Sequence, residues 1–538
     1  MANRLVMLLV SLLSYLLFDG SAAVTFSSKL IHRFSDEAKE RWISRGGNAS
    51  VAGMWPKKES VEFMDLLLLN DLKRQKMRVD LQSSNKSQYQ LLFPSQGSHT
   101  LYFGNQFYWL HYTWIDIGTP NVSFLVALDA GSNILWVPCQ CIECAPLSAS
   151  NYTSLERDLS EFDPTISSSS KNLSCGDQLC KPHSNCKSLK DPCPYIAQYA
   201  SQDTTSSGYL VEDVLHLASV SNYASKSSVQ ASVIIGCGRK QTGSYLDGAA
   251  PDGLMGLGLG DISVPTLLAK AGFIPNSFSI CFDENDSGRI FFGDQGPASQ
   301  QSTPFLPIGE KYDTYFVEVE SYCVGSSCLQ QSGFKALVDS GSSFTFLPTN
   351  VYDNVISKFD KLVTAKKIYL QGNSWKNCYN ASSKELRSIP NMRLIFTANQ
   401  SFVVHNHKYI FPENQGFTVF CLTVMPADGD FGIIGQNFMM GHRMVFDREN
   451  FKLGWSLSNC EDVSDRTHVH LVPPPDGGSP TPLPTNEQQS TSNASTVSPA
   501  TGKRGSSKSS ALSILQLHSL FLQMSLLILL ICLFQPSD

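Results

Sequence analysis

Apolar residues in this chain follow two unlike patterns. At the ends they form long runs with no Asp, Glu, Lys or Arg: Leu5 to Phe18 near the start, and Leu512 to Phe534 near the finish. Between the ends they come in short blocks. Two of these, Val126-Ala127-Leu128 and Ala336-Leu337-Val338, run straight into an aspartate and read as buried strands. A third kind of stretch, Asp71-Leu72-Lys73-Arg74-Gln75-Lys76-Met77-Arg78, reads as a basic helix.

The terminal runs speak of targeting. Arg4, the apolar run and then Ser21-Ala22-Ala23 have the order of a secretory signal, with small residues at the cleavage site. At the other end, Gly505-Ser506-Ser507 offers small residues, Lys508 to Ser519 a mixed spacer, and Leu520 to Phe534 an apolar tail without a basic flank. That order predicts a GPI-attachment signal rather than a tail-anchored helix, with Ser506 as the anchor residue. Ahead of it, Val472 to Ser510 is rich in Pro, Ser, Thr and Gly and reads as a flexible stalk. The expected location is the outer face of the plasma membrane.

At 538 residues the chain exceeds one ordinary domain, and 42% apolar content allows a sizeable core. Charged residues make up only 16%, and the formal net charge is −6. No Lys/Arg cluster extends beyond short pairs, so nothing points to a nucleic-acid partner. Of the 15 cysteines, all but Cys532 lie between Cys139 and Cys460. In an oxidising compartment these predict disulfides. Acceptor sequons at Asn48, Asn85, Asn121, Asn151, Asn172, Asn285, Asn380, Asn399 and Asn493 predict N-glycosylation. The cysteine-free stretch between the signal and about residue 105 reads as a propeptide, with an ordinary N-terminal subdomain as the alternative.

Two segments repeat one another. Ala127-Leu128-Asp129-Ala130-Gly131-Ser132-Asn133-Ile134-Leu135-Trp136-Val137-Pro138 matches Leu337-Val338-Asp339-Ser340-Gly341-Ser342-Ser343-Phe344-Thr345-Phe346-Leu347-Pro348 at Asp, Gly, Ser and Pro. One Asp-x-Gly-Ser is an ordinary turn. Two copies, a domain length apart and each after a buried strand, predict a duplicated fold. An aspartate at the edge of a core must be paired or functional. Two carboxyls brought together cannot both ionise readily, so they share a proton. The ionised one can act as base on a water, and the protonated one as acid toward a carbonyl oxygen, so Asp129 and Asp339 are the candidate catalytic residues. Gly131 and Gly341 would let the backbone turn beneath the carboxylates. Ser132 and Ser342 would donate to the outer carboxylate oxygens.

At these residues the chain resembles the pepsin-like aspartic proteases. Ile117-Gly118-Thr119-Pro120, Pro251-Asp252-Gly253-Leu254-Met255-Gly256-Leu257-Gly258, Gly432-Ile433-Ile434-Gly435-Gln436-Asn437-Phe438, Val445-Phe446-Asp447 and Leu453-Gly454-Trp455 follow in the family's order. The cysteine-rich first half, stalk and tail look like the plant nepenthesin-type branch with its GPI-anchored members. The resemblance implies a mainly β, bilobal fold: two β-barrel-like lobes with the active-site cleft between them. On that pattern residues 1–23 are the signal peptide, 24–105 the propeptide, 106–305 the N-terminal lobe, 306–465 the C-terminal lobe, 466–506 the stalk and 507–538 the GPI-attachment propeptide.

The resemblance also places Tyr199 as the flap tyrosine and Trp136 as the tryptophan that hydrogen-bonds it. It implies disulfides Cys323–Cys328 and Cys378–Cys421, with Cys139 and Cys144 among further disulfide candidates whose pairing is open. Two departures stand out. Ala200-Ser201-Gln202-Asp203 replaces the family's usual flap tip, and Ala130 replaces a Thr or Ser whose hydroxyl grips the other lobe. Ser340 is expected to keep its half of that grip. Cys139-Gln140-Cys141-Ile142-Glu143-Cys144 is read as disulfide-forming rather than metal-binding, and His405-Asn406-His407 as a surface loop. No cofactor or metal is expected. The implied partners are a peptide or protein substrate and a GPI-lipid membrane, with a monomeric chain. The expected activity is aspartic endopeptidase action. The alternatives are a pepsin-fold protein that binds or inhibits without cleaving, and a purely structural glycoprotein.

Overall fold

The structure is a computed structural model. It describes residues 25–32, 34–44, 58, 60–79, 111–144, 161–180, 186–199, 204–218, 228–245, 250, 252–282, 287–308, 311–370, 375–414, 417–427, 429–458, 460 and 468–471. The expected signal, the expected stalk from 472 onward, Ser506 and the apolar tail lie outside the described residues, as do Asn48, Asn85, Asn151, Asn285, Asn493 and Cys532.

The fold is mainly β. Among the described residues the strands gather into sheets of fifteen, nine and four strands. The fifteen-stranded sheet holds the first half of the chain. It also takes in the last two long strands, His442–Asp447 and Lys452–Leu457, which pair with one another and with Ser277–Phe282 and Gln301–Pro304. The nine-stranded sheet carries the second half around a long strand at Lys311–Val324. One hydrophobic cluster joins the halves, from Val126 and Leu128 through Phe278 and Phe446 to Val338 and Phe438.

The stretch expected to be a propeptide is built into this core. Its strand β1 (Thr25–His32) lies between Ser287–Phe292 and strand β2 (His111–Ile117), with Phe26 opposite Phe292 and Ile31 opposite Tyr112. Phe26 and Leu30 face one side and are buried, while Lys29 is exposed and pairs with Glu37. Helix α1 (Asp36–Ser44) follows, then helix α2 (Val61–Val79). Ser60 caps α2 by accepting from the Phe63 amide at 3.1 Å. Phe63, Met64, Leu67 and Leu68 recur at helical spacing and bury one face. That face packs with Phe34 against Phe344, Phe346, Trp375, Phe411 and Met425 of the second half.

Seven disulfides staple the described residues: Cys139–Cys237, Cys141–Cys144, Cys175–Cys186, Cys180–Cys193, Cys281–Cys460, Cys323–Cys328 and Cys378–Cys421. The family-implied pairs of the second half are both present. Cys139 and Cys144 are both bonded, each to a different partner. Cys175, Cys180 and Cys186, whose sulfurs cluster closely enough to resemble a metal site, are taken up in two of these bonds. Of the sequons, Asn121, Asn172 and Asn399 are exposed, whereas Asn380 is half-buried with its Oδ1 enclosed.

Candidate active site

The sequence repeat becomes a structural repeat at the two aspartates. Asp129 ends strand β3 (Val122–Asp129), and strand β4 (Leu135–Glu143) returns from the turn. Strand β5 (Leu254–Gly256) slots between them, parallel to β3 and antiparallel to β4, with Asp129 opposite Gly256. In the second half, strand β6 (Phe334–Val338) leads into Asp339 and Thr345–Pro348 returns. Strand β7 (Phe431–Ile434) fills the same slot, with Leu337 opposite Ile433, which carries Gly435 to the place opposite Asp339.

Both slots are closed by a glycine because nothing larger fits. A Cβ on Gly256 would lie 2.6 Å from the Ser132 carbonyl oxygen, and one on Gly435 would lie 2.2 Å from that of Phe344. The amides then lace the loops shut. Leu257 N–H donates to the Asp129 carbonyl and Gly258 N–H to that of Ser132, while Gln436 N–H donates to the Ser342 carbonyl and Asn437 N–H to that of Ser343.

Residues of the second half also reach the first loop. Tyr315 neighbours Phe316, which pairs with Leu337 two residues before Asp339. Its hydroxyl donates to the Leu257 carbonyl at 2.6 Å, and Leu257 is the residue whose amide holds Asp129. Burial pushes the Tyr315 hydroxyl up to about 12, so it stays a proton donor. The guanidinium of Arg448, which follows the strand at His442–Asp447, donates to the Gly258 carbonyl at 2.7 Å and to the hydroxyls of Ser263 and Thr266. One buried cation thus ties the closing strand to the turn beneath the first aspartate.

Asp129 and Asp339 are both buried, and each Oδ1 accepts a backbone N–H from the glycine two residues on, at 3.0 Å from Gly131 and from Gly341. Beyond that the halves differ. Ser342 Oγ donates to Asp339 Oδ2 at 2.6 Å. The same bond was expected from Ser132, but its Oγ is enclosed and has no partner. Ser132 also lines a cavity of about 250 Å³ with Asn133 and residues of the strand Pro194–Tyr199. The expected half-grip by Ser340 also differs. Its hydroxyl makes no hydrogen bond among the described residues, and its carbonyl instead accepts from Gln436 Nε2 at 2.6 Å. The side-chain amide of Gln436 thus satisfies the Ser340 carbonyl.

The hairpin of Pro194–Tyr199 and Thr204–Ala218 stands where the flap was expected, with Tyr199 opposite Thr204 at its end. The side chain of Tyr199 and residues 200–203 lie outside the described residues. Trp136 is fully buried on β4, edge-on to Tyr245. His407, expected in a surface loop, is buried: Thr423 donates its amide to the His407 carbonyl, and the ring sits by the Val404 carbonyl.

Sequence reasoning missed two contributors to the site. Gln436 looked like part of a glycine motif. Asp71 looked like the polar start of a basic helix, yet it is fully buried. Its Oδ1 accepts from the Ser343 amide at 2.9 Å and its Oδ2 from the Phe344 amide at 2.8 Å. An acidic residue between the apolar face of α2 and its basic run was the only trace of this.

Known proteins share these features. Two family profiles match, "Xylanase inhibitor N-terminal" over residues 111–294 and "Xylanase inhibitor C-terminal" over residues 314–457. "Aspartic proteinase-like protein 1" of Arabidopsis thaliana is 48% identical over 94% of each chain. "Aspartyl protease family protein 1" of the same plant is 42% identical over 65% of this chain and 68% of its own. "Aspartic proteinase nepenthesin-1" of Nepenthes gracilis is 23% identical over 68% of this chain and 81% of its own. Among solved structures, edgp superposes with a TM-score of 0.51 at 20% identity, covering 67% of this chain and 95% of that one. Conglutin gamma from lupine seeds superposes at 0.50 and 18%, covering 66% and 94%. With both halves matched by the profiles and a relative similar along nearly its whole length, the chain belongs to the pepsin-like aspartic protease family.

Proposed function

We propose that this chain is an aspartic endopeptidase in which Asp129 and Asp339 share one proton and activate a water against a peptide carbonyl. The observation that carries this reading is the pair of strand-end aspartates in equivalent glycine-closed slots, each carboxylate accepting the amide of the following glycine. Buried, hydrogen-bonded carboxylates of this kind can hold the charged form on one and the proton on the other, the arrangement general acid–base hydrolysis needs. The substrate is a peptide or an unfolded protein segment. The stretch at 24–105 acts as a propeptide, since α2 lies over the loop after Asp339. The signal, stalk and tail direct the chain to the outer face of the plasma membrane, as a monomer on a GPI anchor at or near Ser506.

A second reading, a pepsin-fold protein that binds or inhibits without cleaving, draws support from Ala130 and from the partnerless Ser132 hydroxyl. One experiment separates the two. The full-length protein, produced through a secretory pathway and incubated at acid pH, is offered a denatured protein with and without pepstatin, beside Asp129→Asn and Asp339→Asn. Pepstatin-sensitive cleavage lost in both variants is the expected result. No cleavage by folded protein with its N-terminal stretch removed overturns the enzyme reading. Release from membranes by a phosphatidylinositol-specific phospholipase tests the anchor, and retention after treatment refutes it.

A further inference from the structure

We propose that Gln436 is a positioning residue for Asp339, acting through the Ser340–Gly341 peptide and held in place by His111; this rests on the endopeptidase reading above. The peptide that joins Ser340 to Gly341 has two ends. Its N–H donates to Asp339 Oδ1 at 3.0 Å, and its C=O accepts from Gln436 Nε2 at 2.6 Å. A donor on the carbonyl polarises the amide and strengthens its N–H as a donor, because hydrogen bonds in series reinforce one another. It also fixes the plane of the peptide, and with it the direction from which the carboxylate is held.

The carboxamide of Gln436 is itself held. The same Nε2 lies 2.8 Å from His111 Nδ1, so its second N–H goes to the histidine. Gln436 and His111 are both buried, on helix α3 (Gln436–Met439) and at the start of β2. The arrangement requires His111 Nδ1 to be an acceptor, with the ring proton on Nε2. With β1 and α2 in place, burial holds His111 down to about 3 and the ring neutral. The groups around it suit that state. His32 of β1 meets it edge-on at 5.1 Å and Phe282 packs at 4.9 Å. Lys58 and Lys408 line the same cavity of about 410 Å³, and no carboxylate does among the described residues.

The first half has no counterpart. Leu257 and Gly258, which lace the Asp129 turn, carry no side-chain donor, and no described side chain reaches the Ala130 carbonyl. Ser342 serves Asp339 while Ser132 serves nothing. The molecule therefore stabilises negative charge on Asp339 by a route it lacks at Asp129, which casts Asp339 as the carboxylate that takes the proton from water.

The test is the pH profile of kcat/KM for the acid-treated full-length protein, with Gln436→Leu, His111→Phe and His111→Asn beside wild type. A weaker N–H donor leaves the carboxylate less stabilised, so it ionises at higher pH. Gln436→Leu is expected to move the acid limb up by about 0.3 pH unit, from 10–30% weakening of one charge-assisted bond. It also lowers kcat by roughly 3- to 10-fold, with KM within about 2-fold, since the contact bears on the reacting carboxylate rather than on substrate. His111→Phe moves the limb the same way. His111→Asn, whose oxygen can take the place of Nδ1, restores it. A fall in kcat with an unmoved limb, in either Gln436→Leu or His111→Phe, means structural support only and overturns the proposal. Should Gln436→Leu not be secreted, the His111 pair decides alone. Inactive wild type instead fails the endopeptidase reading itself, and the positioning role falls with it.

Discussion

Removing the carboxylate of Asp71 should release the loop behind Asp339. In Asp71→Ala the amides of Ser343 and Phe344 lose acceptors at 2.9 and 2.8 Å. Each buried donor left unmade costs about 1–3 kcal/mol. Water entering the vacated space recovers part of this, so the local loss is about 3 kcal/mol rather than the full sum. The apolar face at Phe63, Met64, Leu67 and Leu68 is untouched and continues to hold α2 on the second half. The effect should therefore be local. Hydrogen exchange at the Ser343 and Phe344 amides should quicken on the order of 100-fold, since 1.36 kcal/mol corresponds to tenfold. Asp71→Asn keeps one acceptor and should fall between. The assay is exchange mass spectrometry on peptides covering residues 339–346, at a pH where wild type retains its N-terminal stretch. Unchanged exchange in Asp71→Ala would refute the view that this carboxylate fastens α2 to the loop after Asp339.

Three further outcomes follow from the same structure. His407 is held by burial at about 4 against an ordinary 6.5, so the unfolded chain takes up a proton that the folded chain refuses as pH falls between those values. Stability from this source is complete above 6.5 and lost toward 4, by about 3 kcal/mol at most. His407→Gln should show a correspondingly shallower fall in urea midpoint between pH 7 and 4, and an identical slope would sink the assignment. The Cys139–Cys237 bond closes 98 residues and Cys323–Cys328 only 5. Loop-closure entropy assigns them about 5 and about 2 kcal/mol, so replacing the first pair with alanines should lower the thermal midpoint clearly more than replacing the second. Gly435→Ala drives a Cβ to 2.2 Å from the Phe344 carbonyl, backbone that cannot swing aside. It should abolish cleavage and pepstatin binding, and wild-type binding by a secreted Gly435→Ala protein would show that the slot is looser than described.

The sequence by itself determined the elements whose signal is local. Each buried strand running into Asp-x-Gly-Ser had to place a carboxylate at the edge of a core. Each glycine in Leu254-Met255-Gly256 and Ile433-Ile434-Gly435 marked a place where two backbones meet. Fourteen cysteines between Cys139 and Cys460 foretold a disulfide-stapled chain. What only the tertiary structure decided depends on partners far along the chain. Of the two matched serine hydroxyls only that of Ser342 reaches its aspartate, a difference set by tertiary placement that the repeat does not record. That β1 belongs to the central sheet follows from Phe292 and Tyr112 flanking it, though neither is near it in sequence. Asp71, His111 and Gln436 have no distinguishing neighbours in sequence. Their meaning comes from hydrogen bonds to residues 272, 325 and 96 positions away, and periodicity carries no record of such distances.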